Sequence, residues 1–144
     1  MDNKRTDKLE QFQNVFQDVF GKMKAKQNFY PKTEYKLSNG HITILIHLHH
    51  VEKCRASDIT NYLGITSGGC TVLTETLLKH NLIQKKRSPK DKRIVELTLT
   101  VEGEKIVDQI IKSRVMSFTQ LLVDLEENEL DQMISVFQKL NQKL

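Results

Sequence analysis

Residues 82–100 read LIQKKRSPKDKRIVELTLT, and the fold turns on how this stretch is taken. Leu82–Arg87 and Ile94–Leu99 are β-prone, and the second run alternates Val95, Leu97 and Leu99 against Ile94, Glu96 and Thr98. Ser88-Pro89-Lys90-Asp91 between them carries turn chemistry, so the stretch is predicted to form a β-hairpin. Just upstream lie two short helical stretches. The first, about Ala56 to Leu63, places Ile59 and Leu63 on one face, and Gly64 suits its C-terminal cap. Thr66 can cap the second, which runs to about His80 with Cys70, Leu73 and Leu77 inward. Two helices joined by a tight turn and backed by a hairpin make a winged helix-turn-helix.

Working outward, the helical period resumes on both sides. Leu9, Phe12, Phe16, Val19, Phe20 and Met23 line one face of a helix over about 5–28, ended by Tyr30-Pro31. Ser38 can cap a second helix carrying Ile42, Leu45, Ile46, Leu48 and His49, which should stop near Glu52. Beyond Thr100, Ile106, Val107, Ile110, Ile111, Phe118, Leu121, Leu122 and Leu125 fit one long helix. Asn128 and Asp131 are then expected to cap a last helix lined by Leu130, Met133, Ile134, Phe137, Leu140 and Leu144. The fold class is therefore mainly α with a small β-hairpin wing. A single domain over 1–144 is expected, with a DNA-binding region over about 38–100 and dimerisation helices over about 5–28 and 101–144. The flanking helices carry more apolar face than a winged helix of about 70 residues can cover, which points to a homodimer. The plainer alternative is that the two ends pack on each other within one chain.

Composition narrows the function classes. The 144 residues are 38% hydrophobic and 28% charged, with net charge +4. The polar, charged start over residues 1–10 and the lack of a long apolar run point to a cytoplasmic protein with no membrane partner. Cys54 and Cys70 have neither metal-ligand spacing nor a disulfide framework. No nucleophile elbow, glycine-rich phosphate loop or recognisable carboxylate pair is present, so neither an enzyme nor a cofactor is expected.

The charge is concentrated on the hairpin. Lys85, Lys86, Arg87, Lys90, Lys92 and Arg93 are six basic residues in nine, opposed only by Asp91. Like charges packed this closely repel unless phosphates neutralise them, so they point to double-stranded DNA. An Asp91–Arg93 salt bridge could hold the guanidinium at the tip of a wing entering the minor groove. At the start of the second helix, Thr66, Ser67, Gly68 and Thr71 offer hydroxyls and N–H groups to phosphate or base edges. That helix lacks Arg, Lys, Asn or Gln in its first turns and presents Glu75, so thymine methyls and DNA shape would have to carry much of the reading. The same shortage supports a second reading, a winged-helix module that binds another protein.

Ile65 to Ile83, Asp91-Lys92-Arg93, Leu97-Thr98-Leu99-Thr100 and Glu102-Gly103 together resemble the MarR family (multiple antibiotic resistance regulators). The order of elements is similar over nearly the whole chain. The resemblance implies a triangular dimer in which first and last helices pair. It also implies repression through a pseudo-palindromic operator, often relieved by a small ligand or oxidation. It places the DNA contacts on Ser67, Gly68, Thr71 and Arg93. Val72 stands where many members have arginine, and Asn81 where many have glycine. Some relatives bind zinc through a histidine near the His41 position together with histidines after the wing. Here the later helix has none, and His47, His49 and His50 point in different directions, so no metal is expected. Phe29, Tyr30, Tyr35 and His41 are candidates for a small-molecule effector pocket, or else core packing. Cys70, near a helix N-terminus, is a redox candidate, or else a small core residue.

Overall fold

The computed structural model describes residues 2–26 and 33–144. Tyr30-Pro31, expected to end the first helix, lies outside them. The described helices are α1 (Asn3–Ala25), α2 (Asn39–Val51), α3 (Ala56–Leu63), α4 (Ser67–Lys79), α5 (Val101–Leu122) and α6 (Glu127–Asn141). The strands are β1 (Lys53–Cys54), β2 (Ile83–Arg87) and β3 (Val95–Leu99). These elements form two units, one ending at Arg114 and one covering Val115–Leu144, with the boundary inside α5. No described helix is long and apolar enough to cross a membrane.

Caps fix the helix-turn-helix. Ser38 and His41 form a reciprocal capping box at the start of α2, the Ser38 N–H donating to His41 Nδ1 at 2.9 Å. Gly64 closes α3 at φ 64°, a left-handed conformation that a side chain resists. Thr66 caps α4 by accepting from the Gly69 N–H at 3.0 Å. The hairpin forms as the pattern predicts, but it gains a third strand. β1 pairs antiparallel with β3, Lys53 opposite Thr98 and Cys54 opposite Leu97, giving the order β1-β3-β2. Two residues are too few to show an alternating pattern, so β1 left no signal in the sequence.

One core serves the first unit. Ile44, Leu45, Leu48, Ile59, Leu77, Leu82, Ile106, Val107 and Ile110 are fully buried in it, together with Cys70 and Leu97. Each large aliphatic side chain stabilises by about 1.5–3 kcal/mol on burial. Helices α2, α3, α4 and the first half of α5 are thereby held around the sheet.

The seam between hairpin and α5 is the tightest place in the unit. Thr100 donates its N–H to the Leu82 carbonyl at 3.1 Å and its hydroxyl to the Asn81 carbonyl at 2.7 Å. Its Oγ1 also accepts from the Gly103 N–H at 3.0 Å, capping α5. A methyl group on Gly103 would overlap the Leu82 carbonyl oxygen, so only glycine fits. Asn81 itself sits at φ 57°. Asparagine is among the few residues besides glycine that enter the left-handed region readily.

In the second unit the cap differs from the sequence expectation. The helix starts at Glu127, with Glu126 as N-cap, and the Glu129 carboxylate accepts from the Glu126 N–H at 2.9 Å. Asn128 and Asp131 therefore lie inside α6. A glutamate three residues on is long enough to reach back to the cap, which moves the start two residues earlier.

Gly103→Ala is expected to destabilise the protein by about 2 kcal/mol or more through overpacking against backbone. Asn81→Val should lose about 1–2 kcal/mol, while Asn81→Gly should be neutral or stabilising. Denaturant midpoints of the three variants check this, and a stable Gly103→Ala would contradict the seam.

Candidate nucleic-acid interface

Helix α4 turns one ridge inward and another outward. Cys70, Thr74 and Leu77 are buried, while Gly68, Thr71, Val72, Glu75 and Lys79 are exposed on the opposite side. Val72 is 64% exposed and presents an accessible isopropyl group. Thr71 donates its hydroxyl to the Ser67 carbonyl at 3.0 Å, and Thr76 bonds to the Val72 carbonyl at 3.2 Å. Hydroxyls turned back onto the helix leave methyl groups as the remaining side-chain surface. At the N-terminus, Thr66 takes the Gly69 N–H through its side chain and the Cys70 N–H through its carbonyl. The Ser67 and Gly68 N–H groups are then the open donors of the first turn, at the positive end of the helix dipole. Thr66 thus acts as a cap, and the Ser67 and Gly68 N–H groups have no acceptor among the described residues.

The wing holds its arginine by geometry. Asp91 accepts from Arg93 three times, from the backbone N–H at 3.0 Å, from Nε at 3.1 Å and from Nη2 at 3.0 Å. These bonds, with the charge of Arg55 adding to them, hold the Asp91 carboxyl below the usual range, and the bonds to Asp91 raise the Arg93 guanidinium. The Arg93 side chain is nonetheless 90% exposed, so a fixed cation stands at the tip. Arg87 donates to the Lys92 carbonyl at 2.8 Å across the turn, and the Ser88 N–H bonds to the Ile94 carbonyl at 2.8 Å.

The six basic residues do not form one patch. Residues directly opposite in a ladder share a face, so Lys85 and Arg87 lie with Leu97 and Val95. Lys86 lies on the other face opposite Glu96, whose carboxylate is 3.6 Å from the Lys53 ammonium. Lys90 and Lys92 are exposed in the turn with Arg93. Arg55, exposed at the start of α3, was not singled out in the sequence. It is close enough to Asp91 to act on its titration, and only the fold brings it there.

Of the effector candidates, Phe29 and Tyr30 lie outside the described residues. The Tyr35 ring sits 5.0 Å from His80, which sequence reasoning did not select as a site residue. Burial, then Glu34 and the hydrogen-bonded Glu102, raise the Tyr35 phenol. His41 has a buried Nε2 with no hydrogen-bond partner among the described residues. Burial, then the nearby His80, lowers its imidazole. The other histidines have separate tasks. His47 stacks on Tyr62 at 4.1 Å, His49 meets the Glu104 carboxylate at 2.9 Å, and His50 donates to the Ile46 carbonyl at 2.9 Å. No three metal-ligating groups converge among the described residues. Cys70 is buried, its thiol 3.6 Å from the Ala56 carbonyl oxygen. Burial, with Asp58 and Cys70 nearby, pushes the Cys54 thiol up to about 11.

Large apolar faces remain open in each unit. α1 buries no residue, and Phe12, Phe16 and Phe20 are 54%, 38% and 51% exposed, their rings 5.7 and 4.5 Å apart in succession. In the second unit Ile134, Phe137 and Leu140 are exposed along α6. An apolar groove of about 460 Å³ runs between the end of α5 and the start of α6, lined by Val115, Phe118, Leu122, Leu125 and Leu130.

Comparison with known proteins places this geometry. A family model described as the transcriptional regulator SarA/Rot matches residues 28–110, more than half of the chain. The chain is 24% identical over 139 residues to YpoP of Bacillus subtilis (strain 168), an HTH-type transcriptional regulator, covering 96% of this chain and 97% of that one. It is 27% identical over 88 residues to the HTH-type transcriptional repressor MdtR of the same organism, covering 61% and 57%. Among solved structures, a MarR family protein from Bacillus stearothermophilus superposes with TM-score 0.82 at 17% identity, covering 99% and 97%. The transcriptional regulator BldR from Sulfolobus solfataricus superposes with TM-score 0.73 at 21% identity, covering all of both chains.

The capping box on α2 has a measurable pH signature. Protonated His41 cannot accept the Ser38 N–H, and its folded pKa is lowered, so folding favours the neutral ring. The stability this contributes is complete above the unfolded value near 6.5 and is lost as pH falls through the lower folded value. His41→Gln, which can still cap, is expected to lose less stability than the wild type between about pH 7.5 and about pH 5. Equal losses in urea titrations would show that His41 does not set this dependence.

Proposed function

Because this chain belongs to the SarA/Rot family of transcriptional regulators, we propose that it acts as a dimeric repressor on an inverted-repeat operator. It has the winged-helix fold of MarR family structures and is a DNA-binding regulator rather than an enzyme. The observation that carries the finer reading is the wing-tip Arg93, fixed by Asp91 yet 90% exposed, in a unit whose α4 leaves two N–H donors open. In each half-site α4 enters the major groove, with Ser67, Gly68 and Thr71 at its leading end. Arg93 enters the adjacent minor groove, and Lys85, Arg87, Lys90 and Lys92 follow the phosphates. Lys86, opposite Glu96, contributes least.

A second copy of the chain covers the apolar faces of α1 and α6, since surfaces of that extent rarely stay in water. Repression follows when such a dimer occupies a promoter, in keeping with the repressor MdtR to which the chain is similar. Relief by a small molecule would act near Tyr35, His41 and His80, where the buried His41 Nε2, without a partner among the described residues, would donate to an acceptor that enters. Oxidation of Cys70 would need its burial to be breached first.

Selection of purified protein against a random duplex library over a salt series is expected to enrich an inverted repeat with half-sites about one helical turn apart. Retention that fades with salt and enriches no motif would reduce the wing to phosphate binding, and no retention at low salt would favour a protein-binding module. Arg93→Ala should weaken operator binding by about tenfold or more. Gly68 has open space around it, so Gly68→Ala should stabilise α4 by about 1 kcal/mol. If the backbone approaches DNA there, the same variant should bind the operator less tightly. A stabilised variant with unchanged affinity would remove Gly68 from the interface.

A further inference from the structure

We propose that Glu75 determines specificity by reading a cytosine amino group in each half-site. Glu75 is exposed on the outward ridge of α4, beyond Val72, with Cys70 and Leu77 on the buried side. It makes no hydrogen bond or ion pair among the described residues, although Lys79 follows four residues later in the favourable orientation for a helix pair. A free carboxylate on the surface that meets a polyanion is unfavourable beside phosphate. It becomes favourable where the groove floor offers a donor. In the major groove the cytosine N4 amino group is such a donor, flanked by an apolar C5–H. The adenine amino group is paired with the N7 acceptor, which repels a carboxylate.

The spacing fits this role. Glu75 lies three residues beyond Val72, about 4.5 Å along the helix axis, somewhat more than the 3.4 Å rise of one base-pair step. The methyl groups of Val72 and Thr71 suit the thymine C5-methyl. One half-site should therefore hold a thymine and, one or two base pairs away, a cytosine. Glu75 also supplies what the ridge otherwise lacks. Its exposed face has no arginine, asparagine or glutamine, and its one cation, Lys79, is the last residue of α4, so the carboxylate is the strongest group of the preceding turns for telling one base pair from another.

The proposal rests on α4 entering the major groove, and its test separates the two. Wild type, Glu75→Gln and Glu75→Ala are each put through the same duplex selection, and each is titrated against a duplex of unrelated sequence. Removing the carboxylate is expected to raise affinity for the unrelated duplex, because phosphate repulsion falls. At the same time the cytosine preference should drop by about tenfold. Glu75→Gln, close in size, should shift that position to adenine, which glutamine reads through N6 and N7. A purely structural role would lower affinity for both duplexes together and leave the selected motif alone. A wild-type motif without the cytosine, or one unchanged in both variants, overturns the Glu75 assignment while leaving the DNA-binding reading in place. If wild type selects no motif, both readings fall.

Discussion

The Leu82 carbonyl is the point on which the first unit depends. It accepts the Thr100 N–H, and α5 passes so close above it that residue 103 must be glycine. Because Thr100 also caps α5 and bonds back to Asn81, one residue joins the end of β3, the start of α5 and the turn that leaves α4. The wing, the outward ridge of α4 and the long helix therefore cannot be repositioned independently. Close packing of this kind transmits strain rather than absorbing it. A disturbance at the head of α5 would reach the root of the wing through a single threonine.

The two elements that the proposed function turns toward DNA differ in chemistry. The wing tip carries fixed positive charge, and α4 presents methyl groups, two open N–H donors and one carboxylate. Charge of the first kind acts on any sequence, because every phosphate is alike, whereas groups of the second kind distinguish bases. In the proposed complex, affinity and selectivity would thus reside on separate elements of the first unit.

Most of the fold was legible in the sequence. Ser38, Gly64 and Thr66 announced their caps, and the period change after Asn81 announced the hairpin. The Asp91–Arg93 pair could be anticipated because two residues of opposite charge two apart in a turn are within reach of each other, and the turn does bring them together. β1 was not legible, since a two-residue strand exists only through its partner β3. The start of α6 was misplaced by two residues because several carboxylates competed for one cap and side-chain length decided among them. Tertiary proximity accounts for the remaining surprises. Arg55 beside Asp91 and His80 beside Tyr35 come from segments far apart in the chain. The division of the basic run between two faces follows from strand register, which the sequence showed only at its apolar end.

The strand order gives the wing lysines a second consequence. With β3 in the centre, β2 is an edge strand, and its outer backbone N–H and C=O groups have no ladder partner in the sheet. Edges of this sort template the addition of further strands, and protruding charged side chains are the usual protection against it. Lys85, Lys86 and Arg87 occupy the exposed end of that edge. Neutralising Lys85 and Arg87 to test the proposed phosphate contacts would also open a β-edge to self-association, so loss of solubility has to be separated from loss of binding in such variants.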